Sequence, residues 1–207
     1  MARNYKATAI RKGQIINAAK RLIIKHGSEH VTVRRMAREV GISEAAIYRH
    51  FKSKTDVLSF MVDNIDESLA GSVSQVIPDG NSSLEMLGKL LRSHISSIEQ
   101  RRGISFQIIA EIISWGNKKL NQKVVGVINK YLLNLKKLLE SAVRSGEVPK
   151  DVDLEAASLL LFSIIQGLVN LWALADYSFD LEKKYDSLWR LYRRSLSSGK
   201  RPFTRRP

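Results

Sequence analysis

The sequence predicts an all-α protein of about nine helices, and three observations carry that prediction. Apolar side chains recur three and four residues apart along most of the 207 residues, the spacing of one helical face. Val, Ile and Thr never settle into the sustained alternation of a half-buried strand. The stretches between periodic segments hold the Gly, Pro, Ser and Asp residues that start or stop helices. With 44% hydrophobic and 26% charged residues, the composition is that of a folded chain.

Taken in order, Ile15, Ala19, Leu22 and Ile23 give the first helix one apolar stripe, which Gly27 ends. Thr32 suits the N-cap of a short second helix with an inner face of Val33, Met36, Ala37 and Val40, and Gly41 stops it. A third helix begins at Ser43, where Ile42 and Ile47 hold the positions of a hydrophobic staple. Ser53 and Asp56 have capping-box spacing for a fourth, which continues through "TDVLSFMVDNIDESLAGSVSQV" to Pro78. "IPDGNSS" is the clearest break in the chain. Beyond it the pattern gives helices near 82–101, 104–116, 118–146, 154–175 and 180–197, separated by Arg102-Gly103, Gly116, "SGEVPKDVD" and "DYSFD". The basic end "KRPFTRRP" reads as a disordered tail.

Charge is localised. Residues 1–54 hold 13 Lys/Arg against 3 Asp/Glu, residues 55–199 hold 17 of each, and 200–207 add four basic residues and no acid. Two separate basic patches favour a polyanionic partner, nucleic acid or an anionic membrane. The absence of cysteine excludes disulfides, thiolate metal sites and cysteine nucleophiles, and fits a cytoplasmic location. Charges interrupt any apolar core of a leader in the first 27 residues. The longest apolar run, Leu159 to Ala175, is broken by Ser163, Gln166 and Asn170. It is short for a membrane span, which needs about 20 residues, and is expected to be a buried helix, with no membrane partner.

Three short helices with a glycine turn between the second and third have the layout of a helix-turn-helix unit. On the third, Ile47 and Phe51 point inward, Ala45, Tyr48, Arg49 and Lys52 point outward, and Glu44 and Ala46 stand at the front. A leading turn without bulk, followed by hydroxyl and cationic groups, suits a DNA major groove with phosphates on either side.

The run "TVRRMAREVGISEAAIYRHFKSKTDVL" resembles the DNA-binding domain of the tetracycline-repressor (TetR) family over about residues 10–60. The motif falls on Thr32, Ala37, Gly41, Tyr48, His50, Phe51, Lys54 and Leu58. The resemblance implies that Thr32, Tyr48, His50 and Lys54 hold the phosphate backbone of a double-stranded operator. It implies that Arg34, Glu44, Ala45, Ala46 and Arg49 reach base edges. Many members carry glycine or proline with threonine where Ala45 and Ala46 stand, so hydrogen-bonded readout is expected to fall on Arg34, Arg49 and Glu44, with alanine against a thymine methyl.

The helix from Leu154 is apolar around most of its circumference, and the last helix carries a weaker stripe of Leu181, Tyr185, Leu188, Trp189, Tyr192 and Leu196. One face of each packs inside the domain, so the other is expected to meet a second chain. The resemblance implies the same homodimer through the last two helices, setting two recognition helices on two half-sites of a pseudo-palindrome. Phe106, Trp115, Phe162, Gln166 and Trp172 form an apolar set with a polar handle, a composition suited to a small apolar or acyl-type effector. The domains expected are therefore a helix-turn-helix domain (1–54), a helical dimerisation and ligand-sensing domain (55–199) and the basic tail (200–207).

His26, His30, His50 and His94 show no metal-ligand spacing, and no nucleophile elbow, P-loop or dinucleotide fingerprint occurs. The sequence thus predicts no enzyme, no metal and no cofactor. It predicts a ligand-responsive repressor. The rivals are an effector-independent DNA-organising or protein-recruiting protein of the same architecture, and an anionic-membrane-binding helical protein.

Overall fold

The computed structural model describes residues 2–27, 30–74 and 82–197, with side chains from Thr8 onward except at 68 and 70–74. The expected disordered tail, 200–207, lies outside the described residues. Among those described are nine helices: α1 Ala2–His26, α2 Val33–Val40, α3 Glu44–Tyr48, α4 Lys54–Ser74, α5 Ser83–Gln100, α6 Ile104–Trp115, α7 Lys118–Arg144, α8 Leu154–Leu174 and α9 Leu181–Ser197.

Their ends are set by local chemistry. Thr32 Oγ1 accepts from the Arg35 N–H at 3.2 Å, and Ser43 Oγ accepts from the Ala46 N–H at 3.2 Å. Both are N-caps that satisfy an otherwise unpaired donor. Gly41 closes α2 in the left-handed conformation, with φ at 74°, and the Ile42 N–H reaches back to the Ala37 carbonyl at 3.0 Å. That φ is cheap only for glycine. At α4 the capping box is split: Ser53 Oγ accepts from the Asp56 N–H, while the Asp56 carboxylate accepts from the N–H of Lys52 at 2.8 Å.

The third helix is shorter than its sequence suggests, ending at Tyr48 with Arg49 as its cap. The next turn still folds back, because the His50 and Phe51 N–H groups both donate to the Ile47 carbonyl, at 2.9 and 3.0 Å. Phe51 therefore stays on the inner side although it lies outside the helix.

The chain divides into two compact units. The first holds residues up to Glu67 together with Ile104–Val127. In it α1 packs on α2 and α6, and α2 on α3. Its interior is apolar, with Ile15, Ala19, Met36, Ile47, Phe51, Leu58, Ile108 and Ile112 all buried. Lys123 of α7 ties α4 into this unit through the Ser59 carbonyl at 2.9 Å and the Asp63 carboxylate at 2.7 Å.

The second unit holds Ser68–Gly103 and the chain from Ile128, with α9 packed on both α5 and α8. Gly88 lets α5 and α9 close up: a Cβ there would lie 2.6 Å from the Trp189 indole nitrogen. Glu147 caps α5 from across the unit, accepting from the Ser83 N–H at 2.6 Å and the Leu84 N–H at 3.2 Å, where a carboxylate also meets the positive end of the helix.

Helix α8 is long and apolar enough to cross a membrane by length and composition. In this fold it buries Leu161, Ile165, Leu168, Val169 and Trp172 and leaves Leu159, Leu160, Leu171 and Leu174 exposed, the last by 86%. The expected burial is thus met on one side within the chain, and the opposite side is open.

Candidate nucleic-acid interface

The surface formed by α2 and α3 rests on a fixed base. Ile47 is fully buried and Phe51 is 3% exposed, so the outward direction of the residues between them is set by the core. Glu44, Ala45, Tyr48 and Arg49 are exposed, Tyr48 by 52%, and Ala46 is half-buried. The Tyr48 ring and hydroxyl are thus open to a partner approaching this face. Arg34 is exposed on the adjacent α2, beside Arg35 and Arg38. Thr32 is exposed too, and its hydroxyl, accepting from Arg35 N–H, keeps its own hydrogen for a second partner.

His50 sits differently from the others. It is half-buried, and its Nδ1 is enclosed without a hydrogen-bond partner. Burial lowers its pKa, and the positive charges of Arg11, Lys12 and Arg49 lower it further. The imidazole is therefore neutral at pH 7 within a ring of cations. Lys12 is fixed there, its ammonium 5.7 Å from the centroids of both Phe51 and Phe60. Arg11 and Lys12 were not singled out by the motif, which begins at α2. The basic excess of the first 54 residues is the signal that covers them.

Lys54 is also placed apart. Its Nζ donates to Glu111 Oε1 at 2.6 Å and lies 5.0 Å from the Trp115 ring centroid. Glu111 too was missed by sequence reasoning, although a single acid inside "ISFQIIAEIISW" is an anomaly that calls for a partner.

The five residues proposed to meet an effector fall in different units. Phe106 is half-buried and Trp115 is 43% exposed, both in the first unit. Phe162, Gln166 and Trp172 belong to the second. Phe162 packs edge-on against Tyr131 at 6.1 Å, and Tyr131 in turn against His94 at 5.8 Å. Trp172 is buried, and its indole N–H donates to the Phe179 carbonyl at 2.9 Å. Gln166 is half-buried near Asn170.

The chain matches known proteins along most of its length. The model of bacterial regulatory proteins of the tetR family matches residues 15–59, and that of the YsiA-like protein C-terminal region matches 60–194. A relative, the nucleoid occlusion factor SlmA of Vibrio cholerae, is 26% identical over 194 residues, covering 92% of this chain and 97% of its own. The transcriptional regulator FadR from Bacillus subtilis, solved in complex with stearoyl-CoA, superposes with a TM-score of 0.72 at 24% identity, covering 86% of this chain and 96% of that one. The fatty acid degradation regulator FadR from Bacillus halodurans gives a TM-score of 0.73 at 22% identity, covering 92% and 96%. Matched over residues 15–194, the chain belongs to the tetR family of bacterial regulatory proteins, all-helical DNA-binding transcription regulators.

Proposed function

We propose that this protein is a cytoplasmic homodimeric repressor that binds a pseudo-palindromic operator and is released by a small apolar effector. The observation that carries the reading is the outward row Ala45, Tyr48 and Arg49 on a helix clamped by buried Ile47 and Phe51. A rigid support with small and cationic groups in front is what direct readout requires. Thr32, Tyr48 and His50 serve the phosphates, joined by Arg11 and Lys12 beside His50. Arg34, Arg49 and Glu44 read base edges. Lys54 reaches phosphate only on leaving Glu111.

The second copy docks on the open side of α8 and on α9, where Leu159, Leu160, Leu171 and Leu191 are exposed. Covering these leucines with a copy of the same face is the closed, twofold solution. Residues 1–54 bind DNA, and 55–199 dimerise and sense the effector. An acyl chain suits Phe162 and the apolar interior around Tyr131, and the stearoyl-CoA held by the Bacillus subtilis regulator supports that class. Effector binding acts by population shift, favouring a spacing of the two recognition helices that fits the operator poorly.

Selection of bound duplexes from a random pool tests the reading: two inverted half-sites are expected, and an added acyl-CoA is expected to weaken binding. A second reading is favoured by the relative that spans nearly the whole chain, a nucleoid occlusion factor. It is a DNA-organising protein with no effector, and native mass spectrometry separates the two, since the repressor reading expects binding of the acyl ligand by the dimer.

A further inference from the structure

The lysine that the motif assigns to phosphate is already occupied. The Lys54 ammonium donates to Glu111 at 2.6 Å, and the two side chains are only 24% and 10% exposed. The Trp115 ring stands 5.0 Å from the same ammonium, an attractive contact for a cation. Such a pair is little screened by salt, and a buried carboxylate deprived of its cation is strongly disfavoured. Glu111 is the single acid of α6, and α6 lies in the same compact unit as α2 and α3. Any phosphate that takes Lys54 must compete with a partner held in place by the core.

We propose that Glu111 is a positioning residue for DNA binding: it holds the Lys54 ammonium on α6 until phosphate displaces it, and so lowers operator affinity without touching DNA. The inference rests on the DNA-binding reading above. Lys54 sits at the first residue of α4, so the exchange happens at the junction between the recognition module and the rest of its unit. Glu111 is then a built-in brake on the interface, and the chain can loosen or tighten its operator binding by changing one contact that lies off the DNA surface.

The test uses the full chain and its selected operator in four forms: wild type, Glu111→Gln, Lys54→Met and the double variant. Affinity is measured across a salt series, and thermal melting is followed in parallel. Glutamine keeps the shape and an accepting oxygen while removing the charge. Glu111→Gln is expected to tighten binding about tenfold, roughly what one hydrogen bond to a charged group is worth, with the salt slope unchanged. Lys54→Met should weaken binding and reduce the slope by about 0.9 per protomer. In the Lys54→Met background the glutamine should give no gain, because Glu111 acts only through Lys54. A gain that persists in the double variant would mean that any lost negative charge helps, and the proposal would be wrong. Weaker or unchanged binding by a folded Glu111→Gln would reduce the pair to a structural tie. If that variant melts early, Glu111→Asp, which keeps the charge but shortens the reach, should tighten binding by a smaller factor, and failure to do so overturns the proposal equally. Wild type without sequence preference would instead defeat the DNA-binding reading itself.

Discussion

The two compact units expose and bury opposite things. The first exposes cations and an aromatic hydroxyl at Arg34, Arg49 and Tyr48, and partly buries a charged pair, Lys54 with Glu111. The second exposes leucines along α8 and encloses a polar pair, half-buried His94 with its Nδ1 3.3 Å from the hydroxyl of buried Tyr131. Under the proposed function the two surfaces suit different partners: charges that stay wet suit an anionic backbone, and leucines that gain from losing water suit a second copy of the chain. The interiors differ too: the first holds an ion pair between α4 and α6, whereas the second encloses an imidazole beside a phenol.

Charging the apolar side should break the comparison most sharply. Leu160→Glu with Leu171→Glu is expected to give a folded monomer by light scattering. Operator affinity should fall about a hundredfold or more, because one half-site is then read at a time. A dimer that survives both changes would place the interface elsewhere.

The neutral interior predicts a pH effect. Burial, with Arg101 nearby, lowers the His94 pKa from 6.5 to about 4. The unfolded chain therefore binds a proton that the folded one refuses. The stability that depends on a neutral His94 is complete above pH 6.5 and is lost as pH falls towards 4, amounting to about 3 kcal/mol at most. In urea melts wild type should lose stability relative to His94→Gln as the pH drops through that window, and parallel curves would contradict it.

Within the proposed DNA-binding surface the effects should be smaller and of two kinds. Arg49→Ala is expected to cost about 1 to 3 kcal/mol at one base position and to relax preference there. Tyr48→Ala should weaken all sequences alike. Identical profiles for the two would dissolve the division between readers and phosphate holders. Smallest is Thr32→Ala, which removes the α2 cap and should lower stability by about 1 kcal/mol in a denaturant melt.

Sequence and structure agree best where a local rule fixes the outcome. Thr32, Gly41 and Ser43 act through the next few residues of backbone, so spacing alone locates α2 and the start of α3. Ile47 and Phe51 are likewise legible as a four-residue step onto the core. The end of α3 at Tyr48 was not legible, because no Gly or Pro marks it. It is set by two N–H groups sharing the Ile47 carbonyl. The partner of Lys54 is 57 residues away on α6, and periodicity carries no information about which distant charge meets which. For the same reason the apolar set with its polar handle proposed for the effector could be assembled by composition, while its division between Phe106 and Trp115 in one unit and Phe162, Gln166 and Trp172 in the other is a property of the packing.

The most direct test of the account is the footprint and stoichiometry of the protein on duplexes selected from a random pool, with mass measured on the complex. Two copies on two inverted half-sites about one helical turn apart, or a multiple of it, is the result expected of paired α3 surfaces joined through α8 and α9. A single copy bound, or binding with no preferred sequence, would contradict it.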